Sequence, residues 1–186
     1  MLNYLIKDRE SLGYYGLATI FIIGLNYITS TVQSIATPYF SEKSDDRNEF
    51  LRVLKKYQKL MVLLALVVSI TAFLIVPPLI KMAYGNSYAS AGLYFRILVM
   101  KYFFWSCYAL PGVAVLGLGK MRYNFLSVCI SFPISLFLSY FFITLYGITG
   151  AALAQAAAYF ITLIIVWFML QHVIKIHFTT LGTITH

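Results

Sequence analysis

The sequence contains little charge and few acidic side chains. Only 11% of its 186 residues are charged and 61% are hydrophobic, whereas a soluble domain is about half apolar and about a quarter charged. This shortage of charge excludes an ordinary soluble domain and predicts a membrane protein. The formal net charge of +8 therefore bears on orientation in a bilayer, and we expect no nucleic-acid partner.

The few residues that could support acid–base, nucleophilic or metal chemistry lie outside the apolar runs. The six acids are Asp8, Glu10, Glu42, Asp45, Asp46 and Glu49, and the three histidines are His172, His177 and His186, in or beside the C-terminal tail. Intramembrane proton or sodium relays usually depend on Asp, Glu or His, so this pattern argues against one. We predict no enzyme, no catalytic residue, no metal and no cofactor.

The sequence has only two cysteines, Cys107 and Cys129, and both lie within apolar runs. Two isolated cysteines indicate neither a secreted disulfide framework nor a metal site. We expect both to be buried thiols that pack as small hydrophobic groups.

Most of the sequence consists of long uncharged runs. A helix crosses a bilayer in about 20 residues, and we predict five spans within a single transmembrane lobe over residues 1–186. The predicted fold is all-α, a polytopic membrane helical bundle. The spans are 12–38, 60–80, 90–118, 123–145 and 150–172, the last two being separated by the turn sequence at 146–150.

A basic segment interrupts the apolar runs at residues 45–59. Asp46 followed by Glu49 resembles a capping box, and apolar residues then recur at helical spacing from Phe50. We predict an amphipathic helix at the cytoplasmic membrane surface, facing lipids with anionic headgroups. Its basic residues are Arg52, Lys55, Lys56 and Lys59.

The distribution of Lys and Arg predicts the orientation. Nine basic residues lie on the side of the 45–59 helix and of Lys175, against three or four on the other side. Since cytoplasmic loops are enriched in Lys and Arg, we expect a cytoplasmic C-terminus and a multi-pass protein.

The first span carries many hydroxyl and amide side chains. Such groups are costly against lipid, so we expect them to face other helices or a water-filled lumen. Helix packing explains some of them, and a polar lumen explains the whole set better. The candidates for the lumen are Asn26, Thr29, Thr31, Gln33 and Ser34.

Two cations, Arg96 and Lys101, lie within the third span. A charge in the membrane interior marks a functional position by default, although Arg96 is near enough to the surface to extend its side chain there. No acid is close in sequence to either one, so both would suit an anionic ligand such as a phosphate or a uronic acid. Five residues correspond to about 140° around a helix, so the two need not share a face.

Several loose motifs recur in order along nearly the whole chain. They are Gly13-Tyr14-Tyr15-Gly16-Leu17-Ala18, Ala36-Thr37-Pro38-Tyr39-Phe40-Ser41, Tyr84-Gly85-Asn86-Ser87-Tyr88, Leu93-Tyr94-Phe95-Arg96-Ile97-Leu98, Gly117-Leu118-Gly119-Lys120 and Tyr146-Gly147-Ile148-Thr149-Gly150. In this series the chain resembles the C-terminal part of a Wzx-type polysaccharide flippase of the multidrug/oligosaccharidyl-lipid/polysaccharide exporter superfamily. Arg96 matches the basic position that the family usually has after the turn, whereas Lys101 matches no family motif.

The resemblance implies part of one lobe of a MATE-like transporter. The implied activity is flipping of an undecaprenyl-pyrophosphate-linked oligosaccharide across the bacterial inner membrane, for O-antigen, capsule or exopolysaccharide synthesis. Family members have about twelve or more spans in two lobes, so the partners would be the lipid-linked oligosaccharide, membrane lipids, and a missing N-terminal lobe or a second membrane chain. A drug or lipid II exporter of the same superfamily, a non-transporting scaffold and a truncated remnant remain as alternatives.

Overall fold

The computed structural model describes residues 9–184, and its elements are helical. Helix α1 is Arg9–Glu42, α2 is Arg47–Tyr84, a short 3-10 turn follows at Asn86–Tyr88, and α3 is Ala89–Gly117. The last helical stretch is Met121–Ile184. Four of these helices are long and apolar enough to cross a membrane. The prediction of an all-α, polytopic helical bundle is confirmed.

The last stretch is a helical hairpin rather than one long rod. Gly147 has φ 58° and ψ −132° inside it, a backbone conformation that favours glycine. The chain folds back so tightly that a Cβ on Gly150 would overlap the Phe142 carbonyl. The rings of Tyr123 and His172 lie 5.9 Å apart, so the two arms run antiparallel. We label residues 121–146 α4 and residues 148–184 α5.

The basic segment 45–59 and the apolar run 60–80 form one continuous helix, α2. Asp46 caps its N-terminus and accepts hydrogen bonds from the backbone N–H groups of Asn48 (2.8 Å) and Glu49 (3.2 Å). The Glu49 carboxylate pairs with Lys43 at 3.6 Å. Local side-chain capping therefore begins the helix at the point that the sequence indicated.

The middle of the molecule is α3, which packs against α1, α2 and the hairpin. Two apolar clusters lie along it. One contains Phe95 and Leu98 of α3, and the other contains Leu110 and Ala114. Small residues allow close approach at the two ends of α3, with Gly92 against Pro77 and Gly117 against Phe40.

Ring and backbone contacts show which helix ends lie together. Tyr14 of α1 lies 5.0 Å from Tyr88 between ring centroids, which brings the start of α1 to the turn after α2. At the opposite end, the His177 ring nitrogen Nε2 lies 3.0 Å from the Ser44 carbonyl oxygen. The α1–α2 loop and the end of α5 thus share one end of the bundle, as an alternating topology requires.

Close packing at Gly117 yields a stability prediction. A Cβ at this position would lie 2.6 Å from Phe40 Cβ, so we expect Gly117→Ala to lower the free energy of unfolding by about 1–3 kcal/mol through overpacking. The measurement is thermal unfolding in detergent. Gly16→Ala is the matched control, since nothing lies within 4 Å of its Cβ position; equal melting temperatures for the two variants would contradict the prediction.

Candidate functional site

Lys101 joins three helices through neutral partners. Its Nζ donates a hydrogen bond to Gln155 Oε1 of α5 at 2.7 Å and lies 5.0 Å from the centroid of the Tyr159 ring. The Gln155 amide in turn donates to the Tyr15 hydroxyl of α1. Both of its partners are neutral, and in the described part of the chain no carboxylate forms an ion pair with Lys101.

Arg96 lies apart from this cluster. Its side chain is exposed, and its guanidinium carbon is 5.3 Å from the centroid of the Phe73 ring of α2. Lys101 instead faces α5. The structure therefore places the two predicted substrate-binding cations on different faces of α3 and does not bring them together.

Two of the five polar candidates on α1 contact α3 directly. Thr29 is fully buried, and its hydroxyl lies 2.9 Å from Ser106 Oγ and 3.3 Å from the Tyr102 hydroxyl. The Gln33 amide donates to the Ala109 carbonyl at 3.1 Å. The burial of Thr29 between α1 and α3 is consistent with helix packing, and the predicted lumen role of this set stays a prediction.

The other three candidates are less buried. Thr31 and Ser34 are exposed, and their hydroxyls donate to carbonyls of their own helix, those of Tyr27 (2.9 Å) and Ser30 (3.0 Å). Asn26 is half-buried. The predicted polar face of α1 thus divides between a packing surface toward α3 and an outward surface.

A polar groove of about 490 Å³ opens between α3, α4 and α5. Its lining, to which Gln33 of α1 also contributes, combines amide, hydroxyl and aromatic side chains with small and aliphatic residues and contains no charged residue. The polar and aromatic members are Gln33, Trp105, Tyr108, Asn124, Ser127, Ser131, Phe132, Ser135, Tyr159 and Thr162. Tyr159 belongs to this wall and also lies under Lys101, so one aromatic ring connects the groove to the cation.

The α4 wall of the groove shows how its side chains are held. The Asn124 amide donates to the Gly112 carbonyl of α3 at 2.8 Å, and the Ser127 hydroxyl donates to the Asn124 carbonyl at 2.7 Å. Ser131 Oγ is buried and has no hydrogen-bond partner. A buried hydroxyl without a partner is costly, and a ligand hydroxyl or a water at the groove would satisfy it.

Sequence reasoning missed this groove. The signal was present, because Asn124, Ser127, Ser131 and Ser135 follow one another at spacings of three, four and four, which places them on one helical face. The prediction of a membrane span at 123–145 used only the apolar character of this segment. The spacing of these residues along the sequence does not show which helices face the polar stripe.

The predicted surface cations lie where α2 meets the end of the bundle. All four are exposed: Arg52, Lys55, Lys56 and Lys59. Lys55 and Lys59 also line a second groove, of about 670 Å³, between α2 and α5. Nearby, at the end of α1, the Glu42 carboxylate accepts a hydrogen bond from Lys43 of the α1–α2 loop and raises the pKa of that lysine.

The cysteines differ from each other in burial. Cys107 is buried, as expected, but Cys129 is exposed. The expectation for Cys129 was wrong because an apolar run does not show which of its residues face outward, and this one lies on an outer face of α4. Within residues 9–184, no group of three His, Cys, Asp or Glu side chains could hold a metal ion.

Two comparisons with known proteins find similarity to this chain. A family model described as "Polysaccharide biosynthesis protein" matches residues 5–92. A Shigella flexneri protein, whose name describes it as a candidate O-antigen transporter, is 27% identical over 150 residues, which cover 80% of this chain. The chain is therefore similar to a polysaccharide biosynthesis family over residues 5–92 and to one O-antigen transporter relative over most of its own length.

The match to the Shigella relative covers only 36% of that protein's length, so this chain spans about a third of it. No solved structure matches the chain significantly. The family model covers α1, α2 and the start of α3, and the Lys101 cluster and polar groove lie mostly beyond that range.

The Lys101–Gln155 contact yields a second prediction. Gln155→Leu removes the acceptor and leaves the ammonium partly buried, so we expect a loss of about 1.5–3 kcal/mol in the free energy of unfolding, the usual worth of a hydrogen bond to a charged group. Gln155→Glu retains an acceptor and should unfold later than Gln155→Leu on heating in detergent. If Gln155→Leu is as stable as the outward-facing control Ser34→Ala, Gln155 does not hold Lys101.

Proposed function

We propose that this chain takes part in flipping an undecaprenyl-pyrophosphate-linked oligosaccharide across the bacterial inner membrane, for O-antigen, capsule or exopolysaccharide synthesis. It would act as the C-terminal part of a longer flippase. The observation that carries the proposal is the placement of Lys101 beside an uncharged groove of amides, hydroxyls and aromatic rings within the membrane segments.

The groove chemistry suits a glycan. Serine hydroxyls and the side-chain amides can exchange hydrogen bonds with sugar hydroxyls, and flat aromatic side chains such as Trp105 and Tyr108 provide apolar faces for sugar rings. Lys101 supplies positive charge for a phosphate or an acidic sugar. Because the groove has no carboxylate of its own, an anionic head meets no like charge there.

Arg96 has a different place in the proposal. It lies on the α2 side of α3, away from the polar groove, so we propose that it binds an anion separately from Lys101. The two substitutions should therefore have distinct effects rather than one shared effect.

The partner and the orientation are also proposals. Transport sites of this kind lie at the interface of two repeats, so we infer that a second lobe, in the same protein or in another chain, completes the path. We propose a cytoplasmic location for the end that contains the α1–α2 loop, the 45–59 segment and the end of α5. The excess of Lys and Arg at that end supports this orientation.

The test uses the bacterium that carries the gene, with the chromosomal copy replaced by variants and surface glycan measured on immunoblots. We expect Lys101→Ala to reduce surface glycan at least about tenfold, because a lost charge-assisted contact of about 1.5–3 kcal/mol corresponds to about ten- to a hundredfold. Lys101→Arg should retain most of it. Arg96→Ala serves as the comparison, with membrane levels of each variant checked in parallel.

Undiminished surface glycan in Lys101→Ala would contradict the proposed role of the cation. If both Lys101→Ala and Arg96→Ala leave the glycan unchanged, a non-transporting scaffold is the better description of the chain.

The polar groove gives a further prediction. Ser131→Leu places an apolar side chain on its wall, so we expect reduced surface glycan with normal protein levels in the membrane. Thr144→Leu makes a similar change on an exposed face of α4, outside the groove lining, and should leave the glycan unchanged. A Ser131→Leu strain with full surface glycan would show that the groove does not take the glycan.

A further inference from the structure

A second groove lies between α2 and α5 and differs in chemistry from the polar groove. Its volume is about 670 Å³, and most of its lining is aliphatic, from α2 residues such as Leu54 and Leu63 and α5 residues such as Leu170 and Ile174. We call it the basic-rimmed groove. It lies outside the Lys101 cluster, and the proposed glycan path makes no use of it.

The charges of this groove are confined to one part of it. Lys55 and Lys59 are its charged lining residues, they are exposed, and they lie one helical turn apart on α2. In the described part of the chain, no carboxylate forms an ion pair with either lysine. Two unpaired ammonium groups beside a mostly apolar groove are complementary to a molecule with an anionic head and a long apolar tail.

The length of the groove also fits a lipid. To Leu66, the last α2 residue of its lining, the helix rises about 16 Å from Lys55 and about 10 Å from Lys59, at 1.5 Å per residue. Half of a hydrocarbon core of about 30 Å is about 15 Å. Beyond the two lysines the groove therefore extends along most of one leaflet, within the reach of a phospholipid acyl chain.

We propose that the basic-rimmed groove binds an anionic phospholipid, with its phosphate on Lys55 and Lys59 and an acyl chain between α2 and α5. This goes beyond the general attraction of a basic helix to a membrane surface, because it assigns the headgroup to two of the four surface cations. Arg52 and Lys56 lie on the same helix but outside the groove lining. The proposal does not depend on glycan transport.

The groove contains its own reporter. The chain has two tryptophans: Trp167 lines the basic-rimmed groove and Trp105 lines the polar groove. In a Trp105→Phe background, fluorescence quenching by brominated acyl chains reports lipid contact with Trp167. The protein is reconstituted in two vesicle preparations with the same ratio of phosphatidylglycerol to phosphatidylcholine, the bromines being on one lipid or the other, so surface charge is identical.

We expect bromines on phosphatidylglycerol to quench Trp167 more than bromines on phosphatidylcholine. In Lys55→Gln/Lys59→Gln, the relative association of the anionic lipid should fall on the order of twenty-five-fold, at about fivefold for each lysine near a headgroup. Lys55→Arg/Lys59→Arg should retain it. The matched control Arg52→Gln/Lys56→Gln removes the same charge from the same helix and should retain the preference.

Three results would overturn the proposal. Equal quenching by the two brominated lipids would show no preference for the anionic headgroup. Equal losses in the two double Gln variants would show general surface electrostatics. No quenching of Trp167 by either lipid would show that protein, rather than lipid, covers the groove. None of these outcomes concerns glycan, so failure here is distinct from failure of the proposed transport function.

Discussion

The bundle depends on polar contacts between α3 and its neighbours midway along that helix. Thr29 of α1 meets Tyr102 and Ser106 of α3, and the Gln58 amide of α2 donates to the Cys107 carbonyl at 2.8 Å. Lipid offers no hydrogen bonds, so each of these groups must find a partner inside the protein. Apolar packing alone specifies helix pairing weakly in a membrane, because lipid tails are as apolar as leucine.

The two grooves follow from the position of α3 at the centre. The hairpin arms α4 and α5 pack on one side of α3, and the space left between the three helices is lined by the polar stripe of α4. Between α2 and α5, which have few direct contacts, the mostly apolar basic-rimmed groove remains. Lys55 and Lys59 of α2 are its charged lining residues. Lys101 therefore lies beside the polar groove, whereas Lys55 and Lys59 lie beside the mostly apolar basic-rimmed groove.

Much of the fold could be predicted from the sequence, and much of the candidate site could not. Uncharged runs, the Asp46 cap and the turn at 146–150 are local properties, and the structure shows a cap at Asp46 and a reversal at Gly147. Other findings depend on how each helix is rotated about its own axis in the bundle. They are the contact of Thr29 with α3, the exposure of Cys129, and the separation of Arg96 from Lys101. Spacing along one helix shows which residues share a face, and it does not show what that face meets.

The amino-acid sequence by itself determined that this is a helical membrane protein, that a helix begins after Asp46, and which end of the bundle is basic. These properties follow from the transfer of local segments between water and lipid, which depends on their own composition. The tertiary structure decided that Lys101 contacts Gln155 and Tyr159. It also decided that the serine stripe of α4 lines the polar groove. Of the four predicted surface cations, it placed Lys55 and Lys59 in the lining of the basic-rimmed groove. Those outcomes depend on contacts between residues far apart in the chain, where the shapes and hydrogen-bonding groups of whole helix faces select their partners.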